Sequence, residues 1–219
     1  MQAHIDISGT GWQRLSTLAL SHRLLLIELA AQCGGPLNQE AFANTVTIAE
    51  PMRKDICSRF RWEDKRKLSA GLRALSMAKA IAQLENKLYE LNPAFVCFVP
   101  PCEDVEPSDI ETCKIRIDYK KWCELWLLPL ENQLLFVGLI TQLFHQGTSR
   151  KGRAYLISTH GASGEALCRE LGYKSKGELC PRERELIRFG AIKRIKPGVF
   201  EISPEFIQFT HGVQVIRKM

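Results

Sequence analysis

No two cysteines in this chain are spaced Cys-x2-Cys, although it holds eight of them. That pair is the strong sequence mark of a zinc module. Cys97, Cys102, Cys113 and Cys123 form only a loose group, with spacings that match no common metal site. The five histidines include no His-x-His, which disfavours a metal- and tyrosine-dependent nuclease of the rolling-circle kind. Gly161-Ala162-Ser163-Gly164 lacks the Gly-Lys-Ser/Thr ending that brings a lysine to a nucleotide's phosphates. Gly161 is expected in a loop there, and Ser163 as a helix N-cap. No convergent carboxylate pair or catalytic triad stands out, so neither enzyme nor cofactor is expected. Met1 to Gly11 has neither the basic start nor the apolar run of a secretory signal. The most apolar stretch, Trp126 to Phe144, is broken by Pro129, Glu131 and Asn132, which suits a core helix better than a membrane span. Without export, the thiols are expected reduced, in a cytoplasm, with Cys57 and Cys168 as small core residues.

What is present is ordinary in amount and uneven in distribution. The chain has 219 residues, 45% of them hydrophobic and 25% charged, with a net charge of +6. Residues 145–198 hold twelve Lys/Arg against five Asp/Glu, and residues 53–87 ten against four. Residues 99–112 hold five acids and no base. Two basic regions beside an acidic one suit a nucleic-acid binder; solvated charged faces are the bland alternative.

One stretch occurs twice. Residues 80–98, AIAQLENKLYELNPAFVCF, match residues 191–209, AIKRIKPGVFEISPEFIQF, at an offset of 111 without a gap. Arg73/Arg184, Leu75/Leu186, Glu90/Glu201, Pro93/Pro204 and Phe95/Phe206 are among the identical pairs, and the register reaches upstream to Cys57/Cys168, Lys65/Lys176 and Leu68/Leu179. Two copies of one unit follow. Each ends in an apolar segment, a turn (Glu85-Asn86-Lys87 or Lys196-Pro197-Gly198) and a segment alternating with period two, as in a half-buried strand. Helix-like stretches precede each hairpin. Helix, helix, hairpin is the order of a winged helix, a variant of the helix-turn-helix. The expected fold is therefore helix-rich α+β with two tandem winged-helix domains. The boundaries are an N-terminal extension over 1–11, a first domain over 12–99, an acidic Pro-containing linker over 100–113, and a second domain over 114–212.

Along the chain, leucine spacing predicts a helix over 12–33, stopped by Gly34-Gly35-Pro36. Val46–Ile48 and Ala154–Ser158 are expected as matching strands. Helices are expected over Met52–Phe60, after Pro51, and over Lys65–Met77. Leu68, Leu72 and Leu75 mark the buried side of the latter, and Lys65, Arg66, Lys67, Ser69 and Arg73 face outward. Lys114–Asp118 reads as a strand and Asp118 as the cap of a helix through Trp126, followed by a helix from Pro129 to His145. Ser163–Leu171 is expected as a helix stopped by Gly172. Glu178–Phe189 is the second outward helix, with Arg182, Arg184 and Arg188; Pro181 fits it only if the helix starts there or its first part is separate. Lys174 and Lys176 lie in the preceding turn, and Lys193, Arg194 and Lys196 on the hairpin. Such donors match phosphate oxygens and guanine edges.

With Leu88-Tyr89-Glu90-Leu91-Asn92-Pro93 closing one unit and Gly198-Val199-Phe200-Glu201-Ile202-Ser203-Pro204 the other, the chain resembles bacterial plasmid replication initiators of the iteron-binding class. The lead-in strand Ile115-Arg116-Ile117 and the long apolar helix after it carry the likeness in the second half. The resemblance covers most of residues 12–210. It implies a protein that binds direct repeats in double-stranded DNA at a plasmid origin, helps to open the duplex, recruits host helicase and primase, and governs copy number. It also implies a homodimer through the first domain and no covalent chemistry. By position, Lys65, Arg66, Lys67, Arg73, Lys174, Lys176, Arg182, Arg184 and Arg188 lie on the reading helices or the turns before them, with Lys193, Arg194 and Lys196 on the second wing. The second domain is expected to bind DNA more strongly. A winged-helix transcriptional regulator and a winged-helix protein–protein scaffold are the alternatives.

Overall fold

Strand β1 (His4–Ser8) is buried along its whole length at the middle of a four-stranded sheet. In the computed structural model, which describes residues 3–33, 44–99, 114–146 and 156–209, this strand corrects the expectation of an N-terminal extension. Ile5 and Ile7 alternate toward the core and have no exposed surface, so the segment cannot leave the fold without uncovering them. The 100–113 linker lies outside the described residues.

The chain is a helix-rich α+β protein built twice in the same element order. The first half runs β1, α1 (Gly9–Arg14), α2 (Leu20–Cys33), β2 (Thr45–Thr47), α3 (Glu50–Arg59), α4 (Lys65–Met77), β3 (Ile81–Glu85), β4 (Leu88–Leu91) and β5 (Val96–Val99). The second runs β6 (Lys114–Asp118), α5 (Tyr119–Leu125), α6 (Leu130–Gln146), β7 (Leu156–Ser158) and α7 (Gly161–Leu171). A 3-10 turn (Lys176–Glu178) then leads to α8 (Leu179–Phe189), β8 (Ile192–Lys196), β9 (Val199–Ile202) and β10 (Ile207–Phe209). The repeat thus begins at the first strand. Ile5/Ile115, Ile7/Ile117, Trp12/Trp122, Leu15/Leu125 and Leu20/Leu130 are counterparts at an offset of 110 (122 − 12), all ten with known apolar character.

Local chemistry explains the elements. Ser8 caps α1 by accepting from Gly11 N, and its counterpart Asp118 caps α5 by accepting from Lys121 N at 2.8 Å. The helix expected over 12–33 is broken at residues 15–19, which turn between α1 and α2. Leu15 and Leu18 keep a helical spacing because the turn also points them inward. Arg23, 1% exposed, holds that turn by donating to the Ser16 and Leu18 carbonyls. Its counterpart Gln133 donates to the Trp126 and Leu128 carbonyls, the same two places in the second half. Pro181 stands in the first turn of α8, where no intrahelical donor is needed, and the Lys176–Glu178 turn is a separate piece. The N-cap of α7 is His160, not Ser163, and it makes no side-chain cap bond.

Each half carries a three-stranded sheet of one pattern, β2-β4-β3 and β7-β9-β8. The four-stranded sheet, β10-β6-β1-β5, joins the halves. Across its antiparallel centre Ile5 faces Ile117, Ile7 faces Ile115, and Asp6 faces its own counterpart, Arg116. A pseudo-two-fold axis therefore passes through the Asp6–Arg116 pair, whose Nε and Oδ1 are 3.1 Å apart. Helix α2 packs on this sheet and against α6. Trp12 Nε1 donates to Thr141 Oγ1 at 3.1 Å, and Arg23 Nη1 to the same hydroxyl at 3.0 Å. Arg23 also pairs with Glu170 of α7. In return the first half's helix turn packs on the second half. Phe60 stacks with Trp62 and reaches Trp126, Arg59 lies 4.8 Å over the Trp126 ring, and Arg61 pairs with Glu131 at 2.6 Å. No helix among the described residues is long and apolar enough to cross a membrane.

Two stability outcomes follow from these contacts. Asp6→Arg or Arg116→Asp alone places like charges opposite each other at the axis and should cost about 1–3 kcal/mol, while the swapped double variant should recover most of it in urea unfolding. Glu28, 1% exposed, is pushed up to about 7, chiefly by burial, against the opposing Gln32 hydrogen bond and the Arg59 charge. A carboxyl with a raised folded-state pKa holds more protons folded than unfolded, so stability falls as pH rises from the ordinary value of 4.5 to about 7. Glu28→Gln should flatten that slope and gain on the order of 2 kcal/mol near pH 8, read from unfolding midpoints across pH.

Candidate nucleic-acid interface

The two outward helices, α4 and α8, each follow a helix and a turn and precede a hairpin. In α4, Leu68, Leu72 and Leu75 are buried and Lys65, Arg66, Lys67, Ser69 and Arg73 are exposed, the division that 3.6-residue spacing dictates. Asp64 caps the helix by accepting from Arg66 N at 2.8 Å. Glu50 pairs with Lys65, and Asp64 lies 3.6 Å from Arg66 Nε. The Lys65 hydrogen bond, then its charge, holds the Glu50 carboxyl below its usual range. Lys67 and Arg73 have no ion pair among the described residues.

In the second half, Arg184 and Arg188 are exposed one turn apart on α8 and so share a face. Arg184 Nε donates back to the Cys180 carbonyl at 3.3 Å. Arg182 stands elsewhere: it is half-buried, its side chain is 3.7 Å from Glu185, and its carbonyl accepts from Asn132 of α6. Lys176 pairs with Glu165 at 3.4 Å, and Lys174 is exposed in the turn. Lys193, Arg194 and Lys196 are exposed along β8, the edge strand of its sheet. Eleven of the twelve candidate cations are thus exposed, and Arg182 alone is partly committed to the interior.

The hairpins share one irregularity. Both shift register at matching places, Gln83/Glu85 and Arg194/Lys196, and each bulge exposes an apolar side chain, Leu84 or Ile195. Bulges sharpen the local twist and re-aim side chains.

The halves differ where the backbone turns left-handed. Arg61, Lys79 and Lys87 take positive φ (52°, 61° and 69°), and their counterparts are Gly172, Gly190 and Gly198 (73°, 81° and 64°). Glycine bears this conformation freely and other residues at a cost of about 1 kcal/mol or more. In the first half three basic residues occupy places that the second half gives to glycine. The three pairs stand in the sequence itself, as basic residue against glycine at an offset of 111.

Beside Lys87 the first half has an open groove of about 390 Å³ between α3, α4 and the hairpin. Arg53, Ser69, Arg73, Asn86, Lys87 and Tyr89 contribute its polar wall. Arg53 Nη2 donates to Ser69 Oγ at 3.3 Å. The same place in the second half is lined differently. Glu183 stands where Leu72 does and accepts from Thr159 Oγ1 at 3.2 Å; burial raises its carboxyl above the usual range, against that bond and the Arg194 and His160 charges. His160 Nε2 is hydrogen-bonded to the Pro197 carbonyl, and a Cβ at Gly198 would come within 2.6 Å of the His160 ring.

Among the described residues no group of three or more His, Cys, Asp or Glu could hold a metal ion. Cys102 and Cys113 lie outside those residues; Cys97 and Cys123 are free thiols, and burial pushes Cys97 up to about 11. Comparison with protein-family models, with curated proteins and with solved structures gives no match.

Lys87→Gly removes a strained residue and supplies the one its counterpart already has. It should raise unfolding stability by about 0.5–1 kcal/mol, checked by thermal and urea melts.

Proposed function

We propose that the chain is a sequence-specific binder of double-stranded DNA, with α3–α4–β3–β4 and α7–α8–β8–β9 serving as two winged helices. The single observation that carries this reading is the duplicated arrangement itself: a helix, a turn, a cationic outward helix and a hairpin, twice, about one pseudo-two-fold axis. Proteins with two-fold related reading helices match sites whose halves run in opposite senses. Here one chain supplies both halves, and the two outward helices differ in sequence. One chain then covers one site with unequal halves, and such sites can be arrayed head to tail as direct repeats. Plasmid replication initiation at an origin of repeats, with recruitment of host helicase and primase, is the role we assign to it. A homodimer through the first unit is not needed for two-sided docking in this reading.

A transcriptional regulator of the same build is the second reading, and the pseudo-two-fold axis favours it to the extent that its operator is a single inverted repeat. Footprinting on DNA upstream of the gene separates the two: several protected direct repeats for the initiator, one inverted repeat for the regulator.

Affinity for that DNA, followed by fluorescence anisotropy from about 50 to 200 mM salt, should fall roughly a thousandfold for six to ten phosphate contacts. Arg184→Ala with Arg188→Ala should weaken specific binding by about 2–4 kcal/mol while the fold is retained. A flat salt response and an unaffected double variant would sink the DNA reading and point to the protein–protein scaffold.

A further inference from the structure

We propose that the groove between α4 and the β3–β4 hairpin of the first half is a phosphate site, with Arg53, Arg73 and Lys87 as its donors, sized for a single nucleotide. An ionised phosphate oxygen accepts hydrogen bonds and does not donate, so a site for the dianion needs donors and no competing carboxylate. This groove has that composition: three cations, neutral polar groups, and no acid among its described wall residues. None of the three cations has an ion pair among the described residues; Arg53 acts at longer range on Glu50, whose carboxylate is itself paired with Lys65. Arginine forks bind phosphate oxygens in pairs, and lysine adds a movable point charge. The volume, about 390 Å³, lies in the range of small-ligand sites. Tyr89, half-buried, gives the groove an aromatic side on which a base can lie.

Two further observations separate this groove from a mere gap between elements. Lys87 keeps a left-handed backbone at a position where its counterpart is glycine, and strain held at one place is a reason to look for a function there. The second half has the same frame and keeps Arg184 and Phe200 at the places of Arg73 and Tyr89, but it has lost the other two donors. Gly164 replaces Arg53, Gly198 replaces Lys87, Glu183 puts a carboxylate beside the place, and the His160 ring fills the space next to Gly198. Among the described residues the full set of three donors therefore stands only in the first half. The inference does not depend on duplex binding, since a free nucleotide meets the same chemistry.

The test is isothermal titration calorimetry of the full chain with deoxyadenosine monophosphate, inorganic phosphate and deoxyadenosine. The monophosphate should bind with a Kd of roughly 10–500 µM and deoxyadenosine should not bind measurably. Lys87→Gly should weaken the monophosphate at least about tenfold while the melting temperature holds or rises, so loss of the fold cannot account for the loss. Arg53→Met should weaken it similarly. No monophosphate binding, equal binding of deoxyadenosine, or an unchanged affinity in folded Lys87→Gly would each overturn the proposal. The source of the phosphate is read in a competition with duplex DNA. Displacement of the monophosphate means that the site holds a backbone phosphate of bound DNA, and simultaneous binding means that it takes a free nucleotide. Because the first titration contains no duplex, its failure and the failure of the DNA reading are separate results.

Discussion

The antiparallel pairing of β1 with β6 sets everything else in this molecule. It buries Ile5, Ile7, Ile115 and Ile117 completely, each contributing about 1.5–3 kcal/mol of apolar burial. Register matters because a slip of one residue would turn the isoleucines outward and bring Asp6 and Arg116 into the core. A symmetric dimer would have had to place two copies of one residue opposite each other on the axis. In a single chain those two positions are free to differ, and here they are an acid and a base 3.1 Å apart. The charge pair is thus available only to a duplicated chain, and it gives the pairing a polarity that isoleucines alone would not.

On that symmetric frame the surface has diverged. The same three left-handed turns carry Arg61, Lys79 and Lys87 in the first half and glycines in the second. Arg61 has an evident structural use, since it pairs with Glu131 of the other half and extends the Phe60–Trp62–Trp126 cluster across the junction. Lys87 has no such partner among the described residues and borders the open groove instead. Lys79 shares the left-handed backbone but neither pairs across the halves nor lines the groove, so it is the groove beside Lys87, and not the strain by itself, that sets Lys87 apart.

The sequence showed the repeat where the copies share hairpins and outward helices, because apolar spacing, turn residues and proline positions survive divergence there. It hid the repeat upstream for a physical reason. The offset changes from 111 to 110 between the long helices and the strands β2 and β7, so an ungapped comparison loses step before it reaches Trp12 and Trp122. Strand β1 was also unreadable as core, since His-Ile-Asp-Ile-Ser alternates apolar with polar residues like a surface strand. Its polar members are buried by β6 and by the Arg116 pairing, contacts with residues more than a hundred positions away. The exposed cations were readable from helical spacing alone. Arg182 was not, because its half-buried place beside Glu185, with its carbonyl held by Asn132 of α6, depends on packing against another helix. Arg23 was missed for the converse reason: a lone arginine in a leucine-rich helix gives no hint that it holds the carbonyls of a turn five to seven residues earlier.

A sheet between the halves has a different consequence from a flexible tether. With a tether, the second reading unit would find DNA at an effective concentration set by linker length, and the spacing between half-sites could vary. With β1 and β6 hydrogen-bonded, and with Arg23–Glu170 and Arg61–Glu131 bracing the flanks, the relation between α4 and α8 is set by the chain's own contacts. In the DNA-binding reading the ordering cost is then small, and discrimination falls on half-site spacing as well as on base contacts. The unequal outward helices add direction: Lys65, Arg66, Lys67 and Arg73 at one end and Arg184 and Arg188 at the other cannot be exchanged by turning the protein over. In the DNA-binding reading, a pseudo-symmetric chain of this kind recognises an oriented site, and orientation is what an array of direct repeats requires and a true palindrome does not provide.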